Sequence, residues 1–339
     1  MSAKKTGKQT LVFATPPSLL GAACVVGRKE GEGPLAHGFD VIFDDTLCGE
    51  KTWEKAESRM QQDALTRAAD KAGLARGDVE AVFAGDLLNQ CIGTTFGLRE
   101  MDLPFWGLYG ACSTMAESLT LASMAVDGGF LLRAAALTSS HFCSAERQYR
   151  LPLEYGGQRT PTAQWTVTGA GAVLLGDDGP PPYITHATIG KIVDPGVRDA
   201  NHMGAAMAPA AYETIRTHLL DTAQTPGDYD LIVTGDLAFY GMQLVRDLFA
   251  ENGVALGENY TDCGVLIYDR ERQDVHAGGS GCGCSAVVLC SHLLAGMKAG
   301  VWNRILFCGT GALLSPVSTA QGESIPGICH AVVLSNTRE

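Results

Sequence analysis

The stretch Leu108-Tyr109-Gly110-Ala111-Cys112-Ser113, running into a helical spacing from Thr114 to Val126, decides how the rest of the chain is read. A strand gives way there to a helix, a turn that points its side chain outward while the first helical N–H groups converge on it. A cysteine at such an elbow can have a lowered pKa and act as a nucleophile, as any acyl-thioester enzyme requires. The competing reading is a buried structural thiol, because one Gly-Ala-Cys is a weak motif.

Outward from the elbow, strands and helices alternate. Gln9 to Ala14 is β-rich, Trp53 to Ala72 has helical spacing, and Asp78 to Gly85 reads as a strand ending in a glycine turn. Ala134 to Ser139 and Gly169 to Gly176 supply two more strands. Alternating units of this kind imply a largely parallel sheet. A Pro-rich joint, Gly179-Pro180-Pro181-Pro182, then punctuates the chain near its midpoint.

Beyond the joint the plan repeats. A helix is predicted over Ala206 to Asp221, a strand over Tyr229 to Asp236 whose Gly235-Asp236 end echoes Gly85-Asp86, and a helix over Tyr240 to Glu251. Cys282-Gly283-Cys284-Ser285 opens a further helix through Met297, and strands follow at Arg304 to Gly309 and His330 to Leu334. The expectation is a duplicated α/β unit with a pseudo-twofold axis, divided into 1–179, which carries the elbow, and 180–339.

Composition bounds the function. The chain has 339 residues, 46% of them hydrophobic and 18% charged, and 41 glycines. It therefore buries much and turns often. Twenty-five Lys plus Arg against 37 Asp plus Glu give a formal charge of −12, which argues against nucleic acid and against nonspecific attraction to anionic membranes. Eleven cysteines, an odd number, fall mostly in apolar stretches, a usage that suits a reducing, intracellular compartment. The opening residues lack a signal-peptide pattern and no apolar run reaches the ~18 residues of a spanning helix. Any membrane association is expected to be peripheral, through partner proteins.

A working nucleophile needs a base and oxyanion donors from the second half. Val233 to Ala238 offers Asp236 but no histidine, and Gly281 to Ala286 offers neither histidine nor asparagine. Cys282 and Cys284 are spaced Cys-x-Cys without a second pair, so no metal site is expected.

Gly110 to Ser113, Gly169 to Gly176, Gly281 to Ala286 and Gly309 to Ala312 resemble the thiolase and ketoacyl synthase III superfamily. That resemblance implies a thiolase-like fold in α-β-α-β-α layers and a homodimer, with Cys112 at the nucleophile position. Gly235 would stand where the superfamily has its histidine and Gly283 near its asparagine. Longer matches, Asp102 to Thr114, Glu154 to Gln158, Pro161 to Gly171 and Gly278 to Ala286, resemble the stage V sporulation protein AD family. This second resemblance implies a component of the spore membrane channel complex that binds dipicolinic acid (pyridine-2,6-dicarboxylic acid) for uptake into and release from spores. It places the chain inside the developing spore, peripherally on the inner membrane beside other channel proteins.

A flat dianion asks for N–H groups, a cation or calcium carried with the ligand, and flat or apolar walls. No resident cofactor is expected. The candidate ligand residues are Cys112 and Ser113 at the elbow, Ser139 and His141 at the end of the following strand, Gln164 and Trp165 before Gly169, His202 in a mixed loop, and Asp236, Cys282 and Cys284 from the second half. The alternative is an acyltransferase that forms an acyl-Cys112 intermediate with His141 or Asp236 as substitute base.

Overall fold

The structure, a computed structural model, describes residues 4–149 and 158–338. Glu154 to Gly157, part of the sequence resemblance above, lie outside the described residues.

The first half carries strands β1 (Ser18–Val26), β2 (Ala81–Gly85), β3 (Phe105–Gly107), β4 (Arg133–Ser140) and β5 (Gly169–Gly176). The second carries β6 (Tyr183–Thr188), β7 (Leu231–Thr234), β8 (Tyr260–Asp262), β9 (Arg304–Ala312) and β10 (Gly327–Ser335). In space the first set runs β1-β5-β4-β2-β3 and the second β6-β10-β9-β7-β8, the same order with the same strand directions. The two sets are joined through the single pair Tyr183 and Ser18. The fold is thus a duplicated α/β unit, as the sequence predicts, but the sheet is mixed rather than largely parallel: β5 and β10 run antiparallel to both of their neighbours, and only β4-β2-β3 and β9-β7-β8 run parallel.

Helices fill the layers. Helix α1 (Trp53–Ala72) covers the outer face of the first set, packing on β1 and β5, and α4 (Met203–Thr222) covers the outer face of the second, on β10 and β9. Between the sets lie α2 (Thr114–Asp127) and α6 (Cys282–Val288), the latter prolonged by a π turn and a final helical stretch to Lys298. Two shorter helices complete the set used below, α3 (Phe142–Tyr149) after β4 and α5 (Ala238–Glu251) after β7.

Local chemistry explains these elements. The Thr52 side chain accepts the Lys55 N–H at the start of α1, and Gly73 ends it in the left-handed conformation. The face it buries, Ala56, Met60, Ala64 and Ala68, recurs every four residues. β5 is buried along its whole length because helices cover both faces, which is why it reads as an unbroken apolar run. The inner core joins Met115, Leu119 and Ala122 of α2 to Val287 and Val288 of α6 and to Val173, Phe307 and Val332 of the sheets. Two predicted strands shorten: that over Asp78 to Gly85 begins at Ala81, and that over Tyr229 to Asp236 runs only from Leu231 to Thr234. The Asp236 N–H leaves the ladder to donate to Thr310 Oγ1 at 3.0 Å.

Candidate functional site

Residues Ala111–Ser113 form a single tight turn ahead of α2, with Ala111 in the left-handed region at φ 52°. Thr114 Oγ1 donates to Ala111 O at 2.6 Å and Ser113 Oγ to Gly110 O at 2.7 Å, fastening the turn to the helix start. β9 passes so close that a Cβ at Gly311 would lie 2.8 Å from Gly110 O and 3.0 Å from Ser113 N. Glycine is required there by proximity alone.

Cys112, 6% exposed, forms part of the wall of a cavity of about 270 Å³. The other walls come from Leu87, Tyr109, Ala111, Ala145, Tyr149, Thr166, Met203, Ser280 and Ala312 to Ser315. Both halves of the duplication contribute. The Tyr149 hydroxyl donates to Leu87 O and accepts from Tyr109 at 2.8 Å, and the Tyr109 oxygen lies 3.2 Å from Asn89 Oδ1. Burial pushes the Tyr149 hydroxyl up, so it stays protonated. Among the described lining residues none is a cation.

Behind Cys112 lies Asp236, on the turn that follows β7. Its carboxylate accepts from Thr310 Oγ1 at 2.8 Å, from Gly281 N at 2.9 Å and from Ser280 Oγ at 3.3 Å, and its charge acts on the Cys112 thiol. Burial pushes Asp236 up from 3.8 to about 6 against these donors. A second buried carboxyl, Asp262, fixes the turn itself: it accepts from Thr234 Oγ1 and from the N–H groups of Leu237, Ala238 and Gly264.

This geometry corrects the expectation of a thiolate. Burial first, then the charge of Asp236 and the neighbouring Cys282, push the Cys112 thiol well up, and the Gly281 N–H pulls only weakly the other way. The helix start is outweighed. The group that meets the sulfur from the second half is Asp236, one residue beyond Gly235, which packs against the Thr310 backbone N 3.0 Å from its would-be Cβ.

The pseudo-twofold axis repeats the arrangement. Cys282 opens α6 much as Cys112 precedes α2, and Asp86 follows β2 as Asp236 follows β7. Burial first, then the charges of Asp86 and Glu57, raise the Cys282 thiol, which donates to Ser139 O at 2.9 Å. Cys112 and Cys282 sit in one small apolar cluster with Leu87 and Ala145.

The other predicted residues are dispersed around this centre. Ser113 caps the turn, and Ser139 donates to Glu57 at 2.9 Å on the outer side of β4, away from the cavity. His141 is buried, bonded through Nε2 to Thr46 O at 2.7 Å, and burial lowers it to about 4. Gln164 donates to Asp236 O at 2.6 Å and Gly279 O at 3.0 Å, so it holds backbone at the site. Trp165 stacks on Phe142 at 3.8 Å with Lys29 over its ring, beside a different cavity of about 400 Å³. His202 precedes α4, edge-on to Tyr240, and its neighbour Met203 reaches the cavity. Cys284 is fully buried beside Gly279. The structure thus brings Cys112, Asp236 and Cys282 together and sets the remainder around or away from them. Tyr109, Tyr149, Thr166 and Ser280 were not among the candidates, although Tyr109, Thr166 and Ser280 stand inside the matched motifs.

Among the described residues no group of three or more His, Cys, Asp or Glu is placed to hold a metal ion, and no helix is long and apolar enough to cross a membrane.

The family described as stage V sporulation protein AD matches residues 7–335. A stage V sporulation protein AD of Bacillus subtilis (strain 168) is 48% identical over 330 residues, 97% of each chain. The chain belongs to the stage V sporulation protein AD family. Solved structures similar to this family member include OleA and two synthases. OleA of Xanthomonas campestris aligns with TM-score 0.60 at 12% identity over 95% of this chain and 97% of that one. The 3-oxoacyl-[acyl-carrier-protein] synthase III of Aquifex aeolicus aligns with TM-score 0.56 at 11% identity over 94% and 99%. The priming β-ketosynthase of the R1128 polyketide pathway gives 0.54 at 17% over 94% and 96%. At these identities the likeness shows the fold, which is thiolase-like; the role as a sporulation protein comes from the family.

Proposed function

We propose that this sporulation protein binds dipicolinate in the cavity above Cys112, without acyl transfer, and serves its uptake into and release from spores beside membrane-embedded partner proteins. The observation that carries the reading is the make-up of the cavity: aromatic and aliphatic walls, hydroxyl groups from Tyr109, Thr166, Ser280 and Ser315, and a thiol held neutral over a carboxylate. Flat walls suit a pyridine ring and hydroxyls suit its carboxylates. Membership of a sporulation family supports the cellular setting. Calcium entering with the ligand, a homodimer and attachment to the spore inner membrane through partners belong to the same proposal.

Acyl transfer is disfavoured on chemical grounds. A condensing cysteine must give up its proton to a base, and burial, then the Asp236 charge, raises the Cys112 thiol well above its ordinary range, out of reach of a carboxylate base near 6. Titration calorimetry of the purified chain with dipicolinate, with and without calcium, tests the proposal: saturable binding is expected, and its absence in both arms would sink it. Incubation with acyl-CoA donors followed by mass spectrometry is expected to leave Cys112 unmodified; a stable adduct there would restore the enzyme.

A further inference from the structure

We infer that Asp236 takes up a proton as a carboxylate ligand enters the cavity, so that this site, on the reading proposed above, loads its dianion together with one proton. Asp236 does not line the cavity; it lies one hydrogen bond behind Ser280, which does, and its charge acts on the Cys112 thiol in the same wall. A carboxylate has about four lone-pair positions, and here Thr310, Gly281 and Ser280 fill three of them. The ionised group is therefore well supplied at rest, with the Ser280 hydrogen turned down toward it. The Ser280 lone pairs, which accept hydrogen bonds, are left facing the ligand.

A ligand carboxylate against Ser280 meets an acceptor and, behind it, a like charge. The groups that face Asp236 are Cys112 from the elbow, Cys282 and Cys284 from α6, Cys263 and Asp262 at the end of β8, Thr310 from β9, and Ser280 with Gly281 ahead of α6. None of these is a cation, and burial already raises Asp236 to about 6. A second carboxylate about 6 Å away, at the effective dielectric of partly buried sites, strengthens proton binding on Asp236 roughly a hundredfold. A proton from solvent then occupies one Asp236 oxygen. The Ser280 hydrogen that it displaces turns toward the ligand, converting an acceptor in the wall into a donor.

The test is calorimetry of dipicolinate binding to the full chain at pH 7 in two buffers of different ionisation heat, for the wild type and Asp236→Asn. The wild type is expected to take up between roughly half and one proton per ligand, and its affinity to fall up to about tenfold per pH unit from pH 6 to 8. Asp236→Asn is expected to lose both the uptake and the pH dependence. Wild-type heats that are identical in the two buffers overturn the inference without the variant, leaving dipicolinate binding intact. Full proton uptake by Asp236→Asn overturns it as well. Absence of any saturable heat overturns the ligand reading itself, and the proton coupling with it.

Discussion

Gly281 holds the two halves of the site in register, and replacing it with alanine should loosen the whole centre. Its φ of 98° and ψ of 157° lie where residues with a Cβ are strained, which costs roughly 1–3 kcal/mol. An added Cβ would stand 2.5 Å from Ser140 Oγ and 3.0 Å from Ser140 Cβ. Ser140 cannot step aside freely, since its Oγ donates to Val167 O at 2.7 Å and accepts from Gly283 N at 3.1 Å. Overpacking of this sort adds about 1–3 kcal/mol. Together Gly281→Ala should cost roughly 4 kcal/mol, a fall in Tm of about 6 °C for a chain of this size. Differential scanning calorimetry at pH 7.5 reads the shift. In a Ser140→Gly background the clash is gone and only the backbone part, about 1–3 kcal/mol, should remain. A wild-type-like Tm, within about 2 °C, or an equal cost in both backgrounds, would refute the reasoning.

Three further outcomes are expected. His218 is buried between Thr188 Oγ1 and Tyr229 OH, and burial lowers it from 6.5 to about 3. The unfolded chain thus binds this proton more readily than the folded one, so the stability contributed by the neutral ring is full above pH 6.5 and is lost as pH falls toward 3. Urea denaturation should show the wild type losing about 2 kcal/mol more than His218→Gln between pH 6.5 and 5, and equal losses would contradict the assignment. Tyr149→Phe removes the hydroxyl that joins Tyr109 to Leu87 O at the cavity wall, and calorimetry should find dipicolinate affinity lowered about tenfold; an unchanged affinity would remove Tyr149 from the site. Iodoacetamide at pH 7.5 should alkylate Cys112 at least about tenfold more slowly than free cysteine, followed by peptide mass spectrometry, and a faster rate would mean that the sulfur is a thiolate after all.

Much of the fold was legible because local signals agreed with it. Trp53 to Ala72 carries its own cap at Thr52 and its own stop at Gly73, and Gly169 to Gly176 is too short and too apolar to be anything but a covered strand. The site was legible only where it depends on near neighbours. The turn at Ala111 and Cys112 could be read from the chain itself, whereas the meeting of Cys112 with Asp236 joins residues from opposite halves. A one-residue difference between Gly235 and Asp236 decides which side chain turns inward, and only the position of Thr310 on β9 settles it. Ser139 and Ser140 show the same effect: alternation along β4 sends one to Glu57 on the outer face and the other to Gly283 at the axis. Tyr149 was missed because its partners Tyr109 and Leu87 lie far from it along the chain.

The two cysteine–carboxylate pairs cross the pseudo-twofold axis, Cys112 with Asp236 and Cys282 under the influence of Asp86. Each half of the chain therefore lends a thiol and borrows a carboxylate, and neither half holds a complete pair. In a lone copy of the repeat the same pairs could form only between two molecules, and their occupancy would depend on concentration. Joining the copies through the segment at 179–182 makes the encounter intramolecular, so the site is assembled at any dilution at which the chain is folded.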